Sequence, residues 1–379
     1  MFPASSSRRA EVDRKVARLA RLAIDSQLAG ILVTTHWNVA WITAGGSNRI
    51  DVSREAGAGA LLITASGQRY ALANAIETRR LQDEPLAGLD FSAVEFPWID
   101  ERADAGLVAS RAATLAGGPI GADAAIAGTT ACEPAIGRLR CRLEPEELTR
   151  LRCLGTDAGR VAGDVLLRVP AGVAEAEVTR EVGAALVRAG MTPLVLLAAG
   201  DERLLRYRHP IPTEISWHHR LMVAVCAERD GLVVALSRLL SARPPEAEIA
   251  ARLSAAQAVF LSLLDASVEE ASAGSLYQVA AQAYAASGYP GEETRHHQGG
   301  AIGYRSREWI AHPASPERLG PAVALAWNPS ITGTKVEDTC LITPAGVEVI
   351  TTSPGWPAST GTAQGRTILL HEHLVLDPD

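Results

Sequence analysis

The sequence predicts a two-domain α/β protein, and three observations lead there. Its 379 residues exceed the roughly 100–200 of one ordinary domain. Its apolar residues switch repeatedly between helical and strand spacing. A fresh helix start is written at Leu143-Glu144-Pro145-Glu146-Glu147, where proline in the first turn and acids at the positive end both favour initiation. The expected domains are 1–142 and 143–355, with a C-terminal extension at 356–379.

Taken in order, Val12, Val16, Leu19 and Leu22 repeat at helical spacing, and Gly30 to Thr35 follows as a short β-rich run. Ala60 to Thr64, a turn at Ala65-Ser66-Gly67, and Arg69 to Leu72 read as a hairpin. The Ala- and Gly-rich stretch 107–143 reads as the strand and helix that close the first half. After Pro145, Leu148, Leu151, Leu154 and Val161 line one helical face, and a second helix fits Glu175 to Arg188, with Gly190 as its stop. Leu194 to Leu197 is a strand, and Leu221 to Cys226 pairs with Leu232 to Leu236 around an Arg229-Asp230-Gly231 turn. Helix returns over 245–285, interrupted near Ser272-Ala273-Gly274, and 300–352 is mostly strand. The polar stretch 353–366 reads as a surface linker to the segment 368–376.

Composition narrows the function. With 47% hydrophobic and 21% charged residues the chain is neither collagen-like nor a long disordered segment. A net charge of −7 argues against a nucleic-acid partner, whose footprint is a basic surface. No apolar run approaches the roughly 18–20 residues that span a bilayer, so no membrane partner is expected. MFPASSSRRAEVDRK lacks the apolar core of a signal peptide. The five cysteines are odd in number and scattered without a CxxC pair, which suits a reducing compartment. A cytoplasmic location is expected.

Several strings fall in a telling order: Asn38-Val39-Ala40-Trp41-Ile42-Thr43-Ala44-Gly45, Gly200, His209-Pro210, Gly299 to Glu308, Asn328-Pro329, and Val336-Glu337-Asp338-Thr339. The ordered set resembles the family of creatinase, aminopeptidase P and methionine aminopeptidase over nearly the whole chain. The resemblance implies a creatinase-type amino-terminal α/β domain followed by a pita-bread α+β domain. Family peptidases hold two divalent metals with two Asp, a His and two Glu, and those positions read here as Ala224, Ala235, Gly300, Asn328 and Glu337. One carboxylate and a neutral amide cannot balance two dications. The resemblance in fold therefore argues against dinuclear peptidase activity, and no cofactor is expected.

What remains points to acid–base chemistry. By resemblance, His209 takes the place of the family histidine that moves a proton, and Glu337 assists it. Ala235-Leu236-Ser237-Arg238 is similar to creatinase, which works without metal but carries Glu where Ser237 stands. Arg307, in Tyr304-Arg305-Ser306-Arg307-Glu308, falls where the family has a second histidine and offers a fixed cation for a substrate carboxylate. Gly299-Gly300 leaves room where an imidazole would stand. Of His296 and His297, adjacent in an extended segment, one is expected in the site, and His297 is favoured. Tyr304, Glu308, Asn328, Ser237, Trp41 and Arg49 complete the substrate-binding set, Arg49 by analogy reaching a partner subunit's pocket. His218-His219 and His371-x-His373 are expected at the surface. The function implied is metal-independent hydrolysis of a C–N or amidine bond in a small anionic or zwitterionic molecule by a homodimer. A lyase or cyclase, a pita-bread binding module, and a single-metal site on His209, His297 and Glu337 are the alternatives.

Overall fold

The computed structural model describes residues 6–376. The chain divides into two compact units, Met1–Arg140 and Cys141–Asp379.

In the first unit, α1 (Ser6–Asp25), β1 (Gly30–Thr35), α2 (His36–Ile42), β2 (Ala56–Thr64) and β3 (Arg69–Asn74) are followed by α3 (Thr78–Asp83), β4 (Ser92–Phe96), α4 (Trp98–Ala103), α5 (Leu107–Ala116), β5 (Ile120–Ala122), β6 (Thr130–Ala131) and α6 (Glu133–Arg140). The six strands form one mixed sheet in the order β4-β3-β2-β1-β5-β6. Asp123 fixes the turn from β1 into α2: its two carboxylate oxygens accept from the backbone N–H groups of Thr34 and Thr35 at 2.8 and 2.9 Å. Trp41, on α2, is fully buried, and its carbonyl accepts from Lys15 Nζ at 2.9 Å. It is a core side chain, which corrects the expectation that it binds substrate: the Asn38 to Gly45 string is buried throughout, as the end of α2 and the turn that follows it. Arg49 lies after that helix and donates to the Val52 carbonyl at 3.2 Å.

The second unit opens with α7 (Pro145–Leu166), whose start carries a reciprocal cap between Glu144 and Glu147, and α8 (Glu175–Arg188). Next come β7 (Thr192–Gly200), α9 (Asp201–Arg206), β8 (Arg220–Arg229), β9 (Leu232–Ser241), α10 (Ala247–Ala266) and α11 (Ala273–Ala286). The last strands are β10 (Gly299–Ile302), β11 (Val323–Trp327), β12 (Ser330–Ile331), β13 (Thr334–Lys335), β14 (Asp338–Thr343), β15 (Gly346–Val349), β16 (Ala358–Ala363), β17 (Arg366–His371) and β18 (Leu374–Val375). Two four-stranded sheets, β18-β9-β8-β7 and β10-β11-β14-β15, make the framework. α10 has 20 residues and a mean hydropathy of 1.4, so the reading that no apolar run has spanning length needs correcting. Half of that window is buried inside the protein, where Val259, Phe260, Leu263 and Leu264 belong to the core.

The end of the chain is not an appendage on a linker. β16 occupies much of the polar stretch and pairs with β17, while Leu374 aligns in parallel with Leu240 of β9. Polar hairpin strands with few buried residues read as linker because, of their apolar side chains, only Ala363, Ile368 and Leu370 face the core. His371 and His373 are likewise buried rather than superficial. His371 Nδ1 lies 3.0 Å from Asp338 Oδ2, and His373 Nδ1 lies 2.9 Å from Ser241 Oγ. His218 and His219 are exposed, as expected.

α7 approaches the segment that follows β15 closely enough to require glycine. A Cβ on Gly155 would stand 2.7 Å from the Ile350 carbonyl oxygen, one on Gly159 2.2 Å from that of Thr352, and one on Gly163 2.8 Å from Ser353 Cβ. Because these glycines recur every four residues, they form one face of the helix. Gly159→Ala is expected to lower stability by about 2 kcal/mol or more, overpacking outweighing the ~1 kcal/mol gain in helix propensity. Gly137→Ala in α6, where the new Cβ meets only Arg140 Nη2 at 3.7 Å, is the control that should be neutral or stabilising in denaturant unfolding.

Candidate active site

A cavity of about 320 Å³ opens in the second unit. Val195 and Leu197 of β7 and Ala224, Val225 and Cys226 of β8 form an apolar wall. Opposite stand His209, His297, Ser306, Arg307, Asn328, Lys335 and Glu337. The volume sits near the lower end of the roughly 300–1,000 Å³ typical of ligand pockets, so the site suits a small molecule with one apolar side.

Glu337 organises the polar side. It lies in the irregular junction between β13 and β14, held there by its carbonyl, which accepts from Ser237 N at 2.9 Å. Only 4% of the residue is exposed, yet both oxygens are satisfied: Oε1 by Arg307 Nη2 at 2.9 Å, and Oε2 by Ser237 Oγ at 2.6 Å and Lys335 Nζ at 3.1 Å. Burial alone would raise its pKa, but the Lys335 and Arg307 charges outweigh that and hold it well below the usual carboxylate range. Two cations thus share one anion, and the cluster carries net positive charge.

Three imidazoles lie beside it. His209 is exposed, and its Nε2 is 2.9 Å from Nε2 of buried His296, whose ring stacks on His297 with centroids 4.5 Å apart. Ligating nitrogens of the three lie within 4.8 Å of one another. Arg208 places His209 by tying its loop to three side chains: Glu292 at 2.5 Å, Ser330 at 3.0 Å and Thr332 at 3.0 Å. Gln298, fully buried, places the others. Its amide donates to the His296 carbonyl at 2.5 Å, its Oε1 accepts from Tyr284 OH at 2.7 Å, and its backbone carbonyl accepts from Asn328 N at 3.0 Å. Burial, reinforced by Lys335, lowers His296 to about 2; burial with Arg307 and Lys335 lowers His297 to about 4. His209 is lowered for the same reasons, burial first, and Glu337 partly opposes the shift. All three rings are neutral near neutral pH.

The residues do not fit the paired dications of the resembling peptidases. β8 and β9 pair Ala224 with Ser237 and Cys226 with Ala235, so all four share one sheet face and none offers a carboxylate. Gly300 does not leave open room. A Cβ there would stand 2.2 Å from the Trp309 carbonyl oxygen and 2.8 Å from its ring, which fill the space expected for an imidazole. Glu337 is spent on Lys335 and Arg307.

Of the residues singled out from sequence, His209, His297, Arg307, Asn328 and Glu337 line one cavity, with Ser237 behind Glu337. Two others do not line it. Tyr304 is buried with its hydroxyl donating to Glu147 Oε1 at 2.7 Å, and Glu308 Oε1 accepts from Tyr304 N at 3.0 Å. Both brace the loop that carries Arg307. Of His296 and His297, His297 lines the cavity, and His296 stacks on it with its Nε2 against His209, the chain reaching both through a 3₁₀ turn and a bend rather than extended backbone. His209 makes its side-chain hydrogen bond with His296, while Glu337 bonds Ser237, Arg307 and Lys335. Sequence reasoning missed Lys335 and Cys226. Strand alternation did not point to Lys335, because Glu337 falls in the irregular junction after β13 and only the folded chain brings the lysine onto it.

Neutral buried histidines make stability depend on pH. The unfolded chain protonates them below roughly pH 6.5, whereas the folded chain does not until about 4 for His297 and about 2 for His296. The unfolded state therefore binds more protons over that interval, and stability falls as pH drops through it. At roughly pH 4.5 the loss from His296 alone should be about 2–3 kcal/mol. Urea midpoints measured between neutral and mildly acidic pH should fall less steeply in His296→Gln, and an unchanged slope would refute the assignment.

No family profile and no curated protein sequence matches the chain. Solved structures do. Dipeptidase PepE from Mycobacterium ulcerans is 19% identical with a TM-score of 0.77, over 97% of this chain and 98% of its own. Prolidase from Pyrococcus horikoshii OT3 is 17% identical at 0.74, over 90% and 98%. The N-terminal domain of the FACT complex subunit SPT16 from Cicer arietinum is 10% identical at 0.68, over 91% and 96%. At these identities the likeness shows the fold alone, and the chain has the two-domain pita-bread fold of the Xaa-Pro dipeptidase and prolidase structures.

Proposed function

We propose that the chain is a metal-independent enzyme that hydrolyses a C–N or amidine bond in a small anionic molecule. The observation that carries this reading is a neutral imidazole, His209, hydrogen-bonded to His296 across a cavity from the fixed cations Arg307 and Lys335. The cations hold the substrate anion, and the apolar wall takes its carbon skeleton. His209 removes a proton from water as the oxygen adds to the carbon. It returns that proton to the nitrogen as the C–N bond breaks. Arg208 and Gln298 keep the imidazoles in register, and Glu337 keeps the two cations in place.

Purified protein incubated with small guanidino, ureido, cyclic amidine and N-acyl acids should convert one class with gain of one water by mass spectrometry. His209→Gln is expected to lower that turnover by about 10²–10⁴. As an exposed position, it should change stability by no more than about 0.5 kcal/mol. Conversion without gain of water would favour a lyase or cyclase. Ligand binding with no conversion at all would favour a binding module.

A further inference from the structure

We infer that this site selects acids whose nitrogen is neutral, as in an amide, lactam or urea, and rejects those bearing an ammonium, guanidinium or amidinium. The inference rests on the reading above that an anion is held here, and it narrows the bond to be cleaved to a neutral C–N bond.

Charge carries the argument. The same three charged groups, Lys335, Arg307 and Glu337, act on His209, His297 and Cys226, which line the cavity, and Lys335 and Glu337 also act on buried His296. Their sum is one positive charge, since the three imidazoles are neutral and burial raises the Cys226 thiol to about 11. Glu337 cannot serve a substrate cation. Its oxygens are taken by Arg307, Lys335 and Ser237, and it is 4% exposed. Any positive group on a ligand thus meets two fixed cations at contact range with no free anion to offset them.

Unpaired polar atoms complete the pattern. Arg307 Nε is buried without a hydrogen-bond partner, and so is Oδ1 of Asn328, a residue only 1% exposed. Buried polar groups are normally satisfied, and because both residues line the cavity, a ligand entering it is the partner we assign to these two. Arg307 offers a donor for a carboxylate oxygen, and Asn328 an acceptor for one neutral N–H. A cationic nitrogen could also donate to Asn328, but a single amide oxygen does not cancel the net positive charge of the site. The same field disfavours a metal dication on the three histidines, although their nitrogens are close enough to converge.

Guanidinoacetate and ureidoacetate test this directly, because they match in size and shape and differ by one charge. Titration calorimetry near neutral pH should show ureidoacetate binding at least about tenfold more tightly, as expected for like charges a few ångströms apart in a partly screened site. Lys335→Met, which removes one cation and leaves Glu337 paired with Arg307, should shrink that ratio severalfold. His209→Gln should keep the ratio even if turnover is lost, which separates this inference from the proposed reaction. Equal binding, preference for guanidinoacetate, or no binding of either compound by the wild-type protein would overturn it.

Discussion

The site depends on one buried carboxylate shared by two cations. Glu337, Lys335 and Arg307 lie in a cavity whose opposite wall is apolar, so their charges are little screened and each fixes the others. A guanidinium so confined, with an ammonium held beside it on the same carboxylate, is a fixed positive group. It cannot exchange ligands or activate water as a metal does, but it can hold an anion and set the protonation of its neighbours. The neutral histidines follow first from burial, and the field that retains an anion adds to it by repelling a proton.

The same residues explain how a fold can be kept while its chemistry changes. β8 and β9 present Ala224, Cys226, Ala235 and Ser237 on one face, and at Gly300 the Trp309 carbonyl and ring fill the space. The Gly300 position is filled, while Ala224 and Cys226 line the apolar side of the cavity and offer no carboxylate. The framework around them is maintained by interactions just behind the cavity lining. Arg238 and Asp338, both buried, pair at 3.1 Å, and Asp338 also receives Thr351 Oγ1 at 2.7 Å. The glycine face of α7 seats that helix on the chain after β15.

Much of the architecture was legible because period and punctuation agree locally. Glu175 to Arg188 is a helix at the bounds its pattern implied, and the hairpin of β8 and β9 turns at Asp230-Gly231 as read. The terminal strands were not legible, since their burial comes from packing on distant segments and their own composition is that of a linker. In the site, residues aligned with known motifs were found, and those defined only by convergence were not. Lys335 stands next to a string that was noticed, yet a lysine is ordinarily exposed, and only the folded chain brings it onto Glu337. His296 was set aside by assuming extended backbone where the chain turns.

The most direct test of the account is a double-mutant cycle between Lys335 and Glu337 by denaturant unfolding. Glu337→Gln alone leaves buried Lys335 and half-buried Arg307 without their anion and should cost about 3–5 kcal/mol. Adding Lys335→Met removes one of those charges and should recover at least about 2 kcal/mol, a coupling far outside additivity. Additive losses would show that the two residues do not share a buried charge balance, and the account of the site would fail.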